Sequence, residues 1–157
     1  MPQIDQRIHD LGLTLPTPPK PVAAYIPFVR SGNLIFVSGQ IPLLEGKVIC
    51  TGPVPSAVSL DQARAAARQC ALNGLAIVSG ALGGSLDRVR RIVRLGVWVC
   101  SDPGFTDQPK VGNGASELLV EIFGENGRHA RVAVGAIALP LGATVEVEML
   151  AEVEGAG

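Results

Sequence analysis

The hydrophobic pattern of the chain changes period along its length, and these changes separate two helices from a set of strands. Small and apolar residues recur at three- and four-residue intervals after Ser59 and again over residues 107–123, as they do on the buried face of a helix. Ser59 and Gln62 have the spacing of a capping box, which predicts where the first helix begins. Gly80 and Gly124 are placed to end the two helices.

Strand-like segments surround these helices. Gly32 and Asn33 form a turn between the first two segments, which predicts a hairpin. Ile92 to Cys100 is apolar on both faces apart from Arg94, which predicts a strand covered on both sides. The order β-β-α-β-α-β-β is typical of an α+β fold with helices on one face of a mixed sheet. The predicted strands are residues 24–30, 34–38, 92–100, 131–139 and 144–154.

The beginning of the chain is set apart from this pattern. Residues 1–12 predict a short amphipathic helix, and a proline-rich stretch over residues 15–21 predicts an extended connector. We therefore expect an N-terminal helix and arm over residues 1–22 and a single domain over residues 23–157.

Composition narrows the class of protein. The 157 residues are 47% hydrophobic and 17% charged, which excludes a disordered chain. A net charge of −1 provides no general attraction for nucleic acid or for an anionic membrane. Low charge together with 19 glycines indicates a closely packed domain with apolar surface left for self-association, so we expect an obligate oligomer.

Neither the cysteines nor the histidines form a recognisable site in the sequence. The three cysteines are odd in number and widely spaced, which argues against a disulfide framework and for a reducing compartment. His9 and His129 lack the spacing of metal ligands, so we expect no metal site. No segment has the pattern of a signal peptide or a membrane span, and we expect a soluble cytoplasmic protein.

Two charged positions on predicted strands are candidates for chemistry. Arg131 shares its strand face with Ala133 and Gly135, whose small size leaves room for a ligand beside a guanidinium, the group suited to grip a carboxylate. Glu146 and Glu148 share a face of the last strand, where a carboxylate can hold water or act as a general acid or base. From position alone, a surface arginine and an ordinary solvated face are the commoner explanations.

Two further features have open interpretations. Gly112 and Gly114 lie inside the second predicted helix, where each is about 1 kcal/mol less favourable than alanine. Either another chain, a strand or a ligand approaches the backbone there, or the helix is simply packed tightly. The arginines within residues 88–94 form a basic cluster without interleaved aromatic residues, which favours solvated charge over a nucleic-acid surface.

Two separated motifs resemble the signatures of one protein family. Residues 32–42, GNLIFVSGQIP, resemble the signature GNxIxxSGQxP of the reactive intermediate deaminase (RidA/YjgF) family. Towards the other end, Ala130-Arg131, Leu139-Pro140 and the VEVE of residues 145–148 resemble that family's AR…LP…EIE. The spacings match without a gap, and the resemblance spans roughly residues 23–152.

The resemblance implies a fold, an assembly and a reaction. The fold is α+β of the chorismate-mutase-like type, and the assembly is a homotrimer whose sheets pack into a central barrel. The implied reaction is the hydrolysis of reactive enamines and imines, such as 2-aminoacrylate, to 2-keto acids and ammonia without a cofactor. The ligand would be a small 2-imino or 2-keto carboxylate bound in clefts between subunits.

The same clefts leave two other functions open. One is a protein that binds or senses a small carboxylate without converting it. The weaker alternative is an endoribonuclease or translation inhibitor, because aromatic residues for base stacking make up only 4% of the chain.

The resemblance also implies roles for individual residues. Arg131 would bind the substrate carboxylate, Glu146 would position a water, and the hydroxyl of Tyr25 would orient substrate or water. The residues expected to line the substrate cleft are Ser38, Gly39 and Asn113.

Around these positions the chain departs from the family pattern. Ala133 stands where the family has cysteine, and Arg128-His129 stand where it has Phe-Pro. Asn113 matches the family's helix asparagine only with a one-residue insertion. Together with the N-terminal arm and the longer loop over residues 43–59, these differences imply a divergent subgroup whose pocket takes a different substrate.

Overall fold

Three α-helices and seven strands make up the computed structural model, which describes residues 3–18 and 24–155. The helices are α1 (Ile4–Asp10), α2 (Leu60–Ala81) and α3 (Gln108–Phe123), with 3-10 turns at Gly124–Gly127 and Pro140–Gly142. The strands are β1 (Phe28–Ser31), β2 (Leu34–Gln40), β3 (Leu43–Leu44), β4 (Lys47–Val48), β5 (Val89–Cys100), β6 (Ala130–Ala136) and β7 (Val145–Val153).

Five of the strands form one mixed sheet in the order β1-β2-β7-β5-β6. β5 and β6 are parallel, and the other neighbours are antiparallel. The last strand of the chain, β7, therefore lies in the middle of the sheet, and β6 lies at an edge. The short strands β3 and β4 form a separate hairpin.

The two long helices pack against each other on one face of this sheet, as predicted. Val145, Val147 and Met149 alternate with half-buried residues along β7 and face the helices in the core. The prediction that Ile92 to Cys100 is largely buried apart from Arg94 is confirmed, although Trp98 is only half-buried and Arg91, just before that range, is exposed. The described residues thus leave the second face of the sheet uncovered.

Local signals explain where the helices begin and end. The capping box is confirmed: Ser59 Oγ accepts from the Gln62 amide at 3.1 Å, and Gln62 Oε1 accepts from the Ser59 amide at 3.0 Å. Gly124, with φ of 61°, follows the last residue of α3, also as predicted. The predicted end of α2 at Gly80 is wrong, because the helix continues to Ala81.

The first hairpin turns at Gly32 and Asn33 as predicted, with Ser31 paired to Leu34. Its first strand begins at Phe28 rather than at residue 24, since Pro27 has no N–H to donate and instead accepts from the Ser38 amide at 2.9 Å. At the other end of the chain, β6 stops at Ala136 rather than at residue 139, where the chain leaves the sheet edge towards the second 3-10 turn.

The N-terminal helix packs on the same domain. Ile8 is buried in the common core, Arg7 Nε donates to the Glu121 carbonyl of α3 at 2.9 Å, and Asp5 Oδ1 accepts from the Leu86 amide at 2.9 Å. Part of the predicted connector, residues 19–21, lies outside the described residues. The division between residues 22 and 23 stays a prediction. In the described part of the chain, no helix is long and apolar enough to cross a bilayer.

Candidate functional site

Arg131 lies near the start of β6 with its side chain on the helix-covered side of the sheet. Its register partner on β5 is Leu95, which is fully buried beneath the helices. Arg131 Nη1 donates to Asn113 Oδ1 at 2.9 Å and to Ser116 Oγ at 3.0 Å, and Nη2 donates to the Pro109 carbonyl at 3.2 Å. A single helix, α3, therefore provides all three hydrogen-bond acceptors.

The positive charge of Arg131 is not neutralised by these contacts. All three acceptors are uncharged, and within residues 3–18 and 24–155 no carboxylate forms an ion pair with this guanidinium. A guanidinium has five N–H donors, so the three bonds leave one donor on Nε and one on Nη2. Two parallel donors are what a guanidinium uses to grip a carboxylate. The arrangement is suited to binding a small organic anion.

An open recess of ≈ 250 Å³ lies beside the guanidinium. Apart from Val120, every side chain that lines it is polar or positively charged, and none is acidic. Its lining residues are Asn113, Ser116, Val120, Arg128, His129 and Arg131.

The two glycines of α3 have separate structural causes. A Cβ on Gly112 would lie 3.2 Å from Arg131 Nη1, so this glycine makes room for the guanidinium. A Cβ on Gly114 would collide with the backbone carbonyl of Arg64, so this glycine lets α3 lie against α2. The sequence predicted that another group lies close to the helix backbone at these glycines. That group is the Arg131 side chain of β6 at Gly112 and the backbone of α2 at Gly114.

Ser116 and His129 form a pair that the sequence analysis did not find. Ser116 Oγ lies 2.9 Å from His129 Nε2, and His129 Nδ1 lies 2.6 Å from the Gly127 carbonyl. Because a carbonyl only accepts, Nδ1 carries the proton in the neutral ring, and Nε2 accepts from the serine hydroxyl. The only signal in the sequence was that Arg128-His129 replace the family's Phe-Pro, which gave no partner for the histidine.

The environment of His129 favours the neutral form of its ring. Burial lowers the pKa of the imidazole below its ordinary value, and the nearby Arg131 charge lowers it further. The hydrogen bond to the Gly127 carbonyl acts in the opposite direction but does not reverse the net shift.

Glu146 lies on the uncovered face of the sheet, where it pairs with Trp98 of β5. A Cβ on Gly39 would collide with its carboxylate, so the glycine of the SG motif makes room for Glu146. Burial raises the pKa of Glu146, and the neighbouring Glu148 raises it further. Glu148 itself is paired with Arg94 at 3.0 Å, whereas no described residue forms an ion pair with Glu146.

Tyr25 lies shortly before β1, and Ser38 lies near the end of β2. Ser38 Oγ donates to the Ile26 carbonyl at 2.8 Å, which ties the residues before β1 to the end of β2. Tyr25, next to Ile26, is 57% exposed. The pairing of β2 with β7 is interrupted between Val37 and Gln40, and this irregularity contains both Ser38 and Gly39.

The predicted site residues therefore fall into two groups on opposite faces of the sheet. Arg131 is in register with Leu95, whereas Glu146 is in register with Trp98, three residues further along β5. Successive side chains of a strand point to opposite faces, so Leu95 and Trp98 face opposite ways. The structure brings Asn113 to Arg131 and Gly39 to Glu146, but one chain does not bring Arg131 and Glu146 together.

No group of three histidine, cysteine, aspartate or glutamate side chains among the described residues is placed to hold a metal ion. The three cysteines are unpaired, with Cys70 and Cys100 buried and Cys50 half-buried.

Comparisons with known proteins agree with the motifs. The family model described as "YjgF/chorismate mutase-like, putative endoribonuclease" matches residues 5–153. Protein TCP17 of Trypanosoma cruzi is 44% identical over 96% of this chain and 94% of its own length. A crystal structure of a protein of unknown function from Agrobacterium tumefaciens is 46% identical, covers 96% of this chain and 92% of that chain, and superposes with a TM-score of 0.90.

A more distant relative has an activity in its name. The 2-iminobutanoate/2-iminopropanoate deaminase of Dermatophagoides farinae is 28% identical over 90% of this chain and 95% of its own length. The mixed sheet with helices on one face, the two separated motifs and a family match over nearly the whole length lead to the same conclusion: the chain belongs to the RidA/YjgF family.

Proposed function

We propose that the protein hydrolyses small 2-imino acids to 2-keto acids and ammonia, the reaction that its sequence motifs imply. The observation that carries the proposal is the Arg131 guanidinium, which three uncharged acceptors hold at an open recess, with two N–H donors that no described residue uses. A 2-imino acid presents a planar carboxylate next to its reactive carbon, and two parallel donors match such a carboxylate. The name of the mite deaminase supports the same reaction.

We place the reaction between two copies of the chain, because one copy holds Arg131 and Glu146 on opposite sheet faces. The uncovered face carries exposed apolar side chains beside its charged ones: Val29, Phe36 and Val134 are 53%, 46% and 40% exposed. A patch of this kind usually marks an interface. In the homotrimer that the motifs imply, Glu146 of one copy would meet Arg131 of another, and the central barrel would cover these apolar side chains.

In this arrangement Arg131 and Glu146 perform different parts of the reaction. Arg131 holds the carboxylate and so fixes the imine carbon, which turns a bimolecular hydration into a positioned one. Glu146 orients a water towards that carbon and exchanges protons with the reacting groups. Its raised pKa makes it a better proton donor near neutral pH than an exposed glutamate. The carbinolamine that forms expels ammonia and leaves the keto acid.

The remaining predicted residues have supporting roles in this proposal. Tyr25 is exposed and available to orient the substrate or the water. The Ser38 hydroxyl is already bonded to the Ile26 carbonyl, so its contribution is to hold the segment that carries Tyr25. Asn113 keeps the guanidinium in place through its Oδ1 atom.

The test is the release of keto acid from 2-aminoacrylate that a serine dehydratase generates in the assay. We expect the wild type to accelerate release and Arg131→Ala to lose most of the acceleration, because the carboxylate is no longer held. Arg68→Ala is the matched control, since Arg68 is paired with Glu121 on the outer surface of the helices and should retain wild-type rates. Substantial activity in Arg131→Ala would refute the role of the arginine.

A protein that binds a small carboxylate without converting it is the second candidate. It is favoured by one observation, namely that the Arg131 recess is complete within one chain whereas Glu146 lies on the other face. Calorimetric titration with pyruvate and 2-oxobutanoate separates the two. Binding that Arg131→Ala abolishes, with no turnover of any imino acid by the wild type, would establish the binding function instead.

A further inference from the structure

The hydrogen-bonded pair of Ser116 and His129 has no role in the mechanism above. Ser116 lies in the middle of α3, and His129 lies directly before β6, so the pair joins the helix to the start of the strand that carries Arg131. Both side chains are half-buried and both line the recess beside the guanidinium. A ligand held by Arg131 would therefore have the serine hydroxyl at its side.

For a neutral His129 ring, the Gly127 carbonyl gives each hydrogen bond in this cluster a direction. The Gly127 carbonyl fixes the proton of neutral His129 on Nδ1, which leaves Nε2 as an acceptor for the Ser116 hydroxyl. Ser116 Oγ in turn accepts from Arg131 Nη1 at 3.0 Å. The serine is thus oriented with its proton towards the imidazole and its remaining lone pair available to the recess.

The backbone holds this geometry in place. Gly127 is buried in the 3-10 turn after α3, and a Cβ on it would collide with the backbone of Leu119. The carbonyl that sets the histidine tautomer is therefore positioned by close packing of the turn against the helix.

We propose that Ser116 and His129 form a proton relay that deprotonates the attacking water in the imine-hydrolysis site. This inference rests on the proposed function and adds a proton acceptor on the Arg131 side of the site. Ser116 contacts the reacting water, and His129 acts on that water through Ser116.

The proposed reaction has two stages, the addition of water and the release of ammonia. The water oxygen forms a bond to the imine carbon as the C=N π bond breaks, and the electron pair goes to nitrogen. The water proton passes to Ser116 Oγ while the serine proton passes to His129 Nε2, and Glu146 supplies a proton to the nitrogen. When the carbinolamine collapses, its hydroxyl proton returns to the glutamate, the imidazolium proton passes back through Ser116 to the nitrogen, and ammonia leaves.

The charges around His129 favour a neutral base. Burial and the Arg131 charge keep its pKa below the ordinary value, whereas Glu146 on the other side of the proposed site has a raised pKa. Environments that shift two such groups in opposite senses are typical of an acid and base pair. The other charged groups around the histidine are bonded to each other or to α2: Arg128 to Glu125, Arg91 to the Arg128 carbonyl, Glu117 to Arg64 and Glu121 to Arg68.

The test compares His129→Gln and Ser116→Ala with His9→Gln, the other histidine of the chain, which is exposed on α1. Glutamine can still accept a hydrogen bond from Ser116 but cannot take up its proton. We expect His129→Gln to lower kcat by about 100-fold with little change in KM, because general base catalysis is lost while Arg131 still binds the carboxylate. Ser116→Ala should lower kcat by a similar factor and also raise KM by up to about fivefold, because it removes one acceptor of the Arg131 guanidinium. His9→Gln should match the wild type.

The pH profile provides a readout that a merely structural role would not change. The relay requires neutral His129, so the wild-type rate, corrected for uncatalysed hydrolysis, should fall as the pH decreases and protonates the ring. His129→Gln should lose this acidic limb. A raised KM with unchanged kcat, or an acidic limb that persists in His129→Gln, would overturn the relay while leaving the deaminase proposal intact. A wild type that hydrolyses no imine would refute both.

Nitrogen-15 NMR of the imidazoles tests the geometry in the intact protein without any activity. The chain has only two histidines, and His9→Gln assigns them. We expect His129 to be the neutral Nδ1–H tautomer at pH 7 and to titrate below about 6.5, the ordinary histidine pKa. An Nε2–H tautomer or a protonated ring at pH 7 would overturn the proposal.

Discussion

At the scale of single residues, the absence of a side chain at position 112 decides how close Arg131 lies to α3. A Cβ there would be 3.2 Å from Nη1, so Gly112→Ala should displace the guanidinium and weaken its bonds to Asn113 and Ser116. The loss of about one hydrogen bond, or about 1 kcal/mol, corresponds to roughly fivefold weaker binding of pyruvate. Calorimetric titration of both proteins measures this change.

Gly80→Ala is the control for this substitution. Gly80 also lies within a helix, and nothing lies within 4 Å of its Cβ position. It should gain helix stability of up to about 1 kcal/mol while binding pyruvate like the wild type. Equal affinity in Gly112→Ala and Gly80→Ala would contradict the view that position 112 makes room for the guanidinium.

Some of the site at this scale could be predicted from sequence, and some could not. The residue type and small neighbours of Arg131 made it a candidate for binding a carboxylate, and the helix glycines indicated a close approach of another group. The Ser116–His129 pair could not be predicted, because a serine inside a helix and a histidine before a strand meet only through the packing of α3 against the start of β6. Sequence spacing contains no signal for that contact.

At the scale of elements, the second helix glycine controls the distance between α2 and α3. A Cβ on Gly114 would collide with the Arg64 carbonyl, and neither backbone can rotate out of the way as a side chain can. Gly114→Ala should therefore lower the free energy of unfolding by about 2 kcal/mol, the usual cost of overpacking. Urea unfolding measures this, again with Gly80→Ala as control. A Gly114→Ala protein as stable as the wild type would show that the helices separate without cost.

Element boundaries were predictable where a side chain fixes them and less so elsewhere. The capping box placed the start of α2 correctly because Ser59 and Gln62 satisfy backbone groups locally. Its end was misplaced because three glycines, Gly80, Gly83 and Gly84, are close together. Only the last two have positive φ, at 87° and 105°, and which glycine ends a helix depends on where the chain must turn back to the sheet.

At the scale of the whole molecule, the opposite placement of Arg131 and Glu146 leads to a test by mixing variants. If each site takes Arg131 from one copy and Glu146 from another, Arg131→Ala and Glu146→Gln should both be inactive alone. Mixed oligomers formed from equal amounts of the two variants should recover about a quarter of wild-type activity. About a quarter of randomly formed interfaces combine an intact Arg131 of one copy with an intact Glu146 of another. Keto-acid release after co-refolding of the two variants measures this recovery.

The double variant, Arg131→Ala with Glu146→Gln, is the control for mixing. Combined with either single variant, it can form no interface that holds both intact residues, so these mixtures should stay inactive. Failure of the two single variants to complement each other in mixed oligomers would show that the site does not form between copies.

The family motifs and the alternation of strands were sufficient to predict the α+β arrangement at this scale. They were not sufficient to predict that Arg131 and Glu146 face opposite ways. Their opposite orientation follows from the strand order, in which β5 lies between β6 and β7, and from the register of each pair of strands. Register depends on long-range pairing that no local sequence pattern specifies.

The contact between Gly39 and Glu146 has a consequence for how this protein can change over generations. Any side chain at position 39 meets the carboxylate at position 146, so the effect of a substitution at one position depends on the residue at the other. A side chain gained at position 39 would displace the Glu146 carboxylate from its present position, and a shorter residue at position 146 would remove that conflict. The residues that evolution can accept at these two positions are therefore coupled, although 107 positions separate them in the sequence.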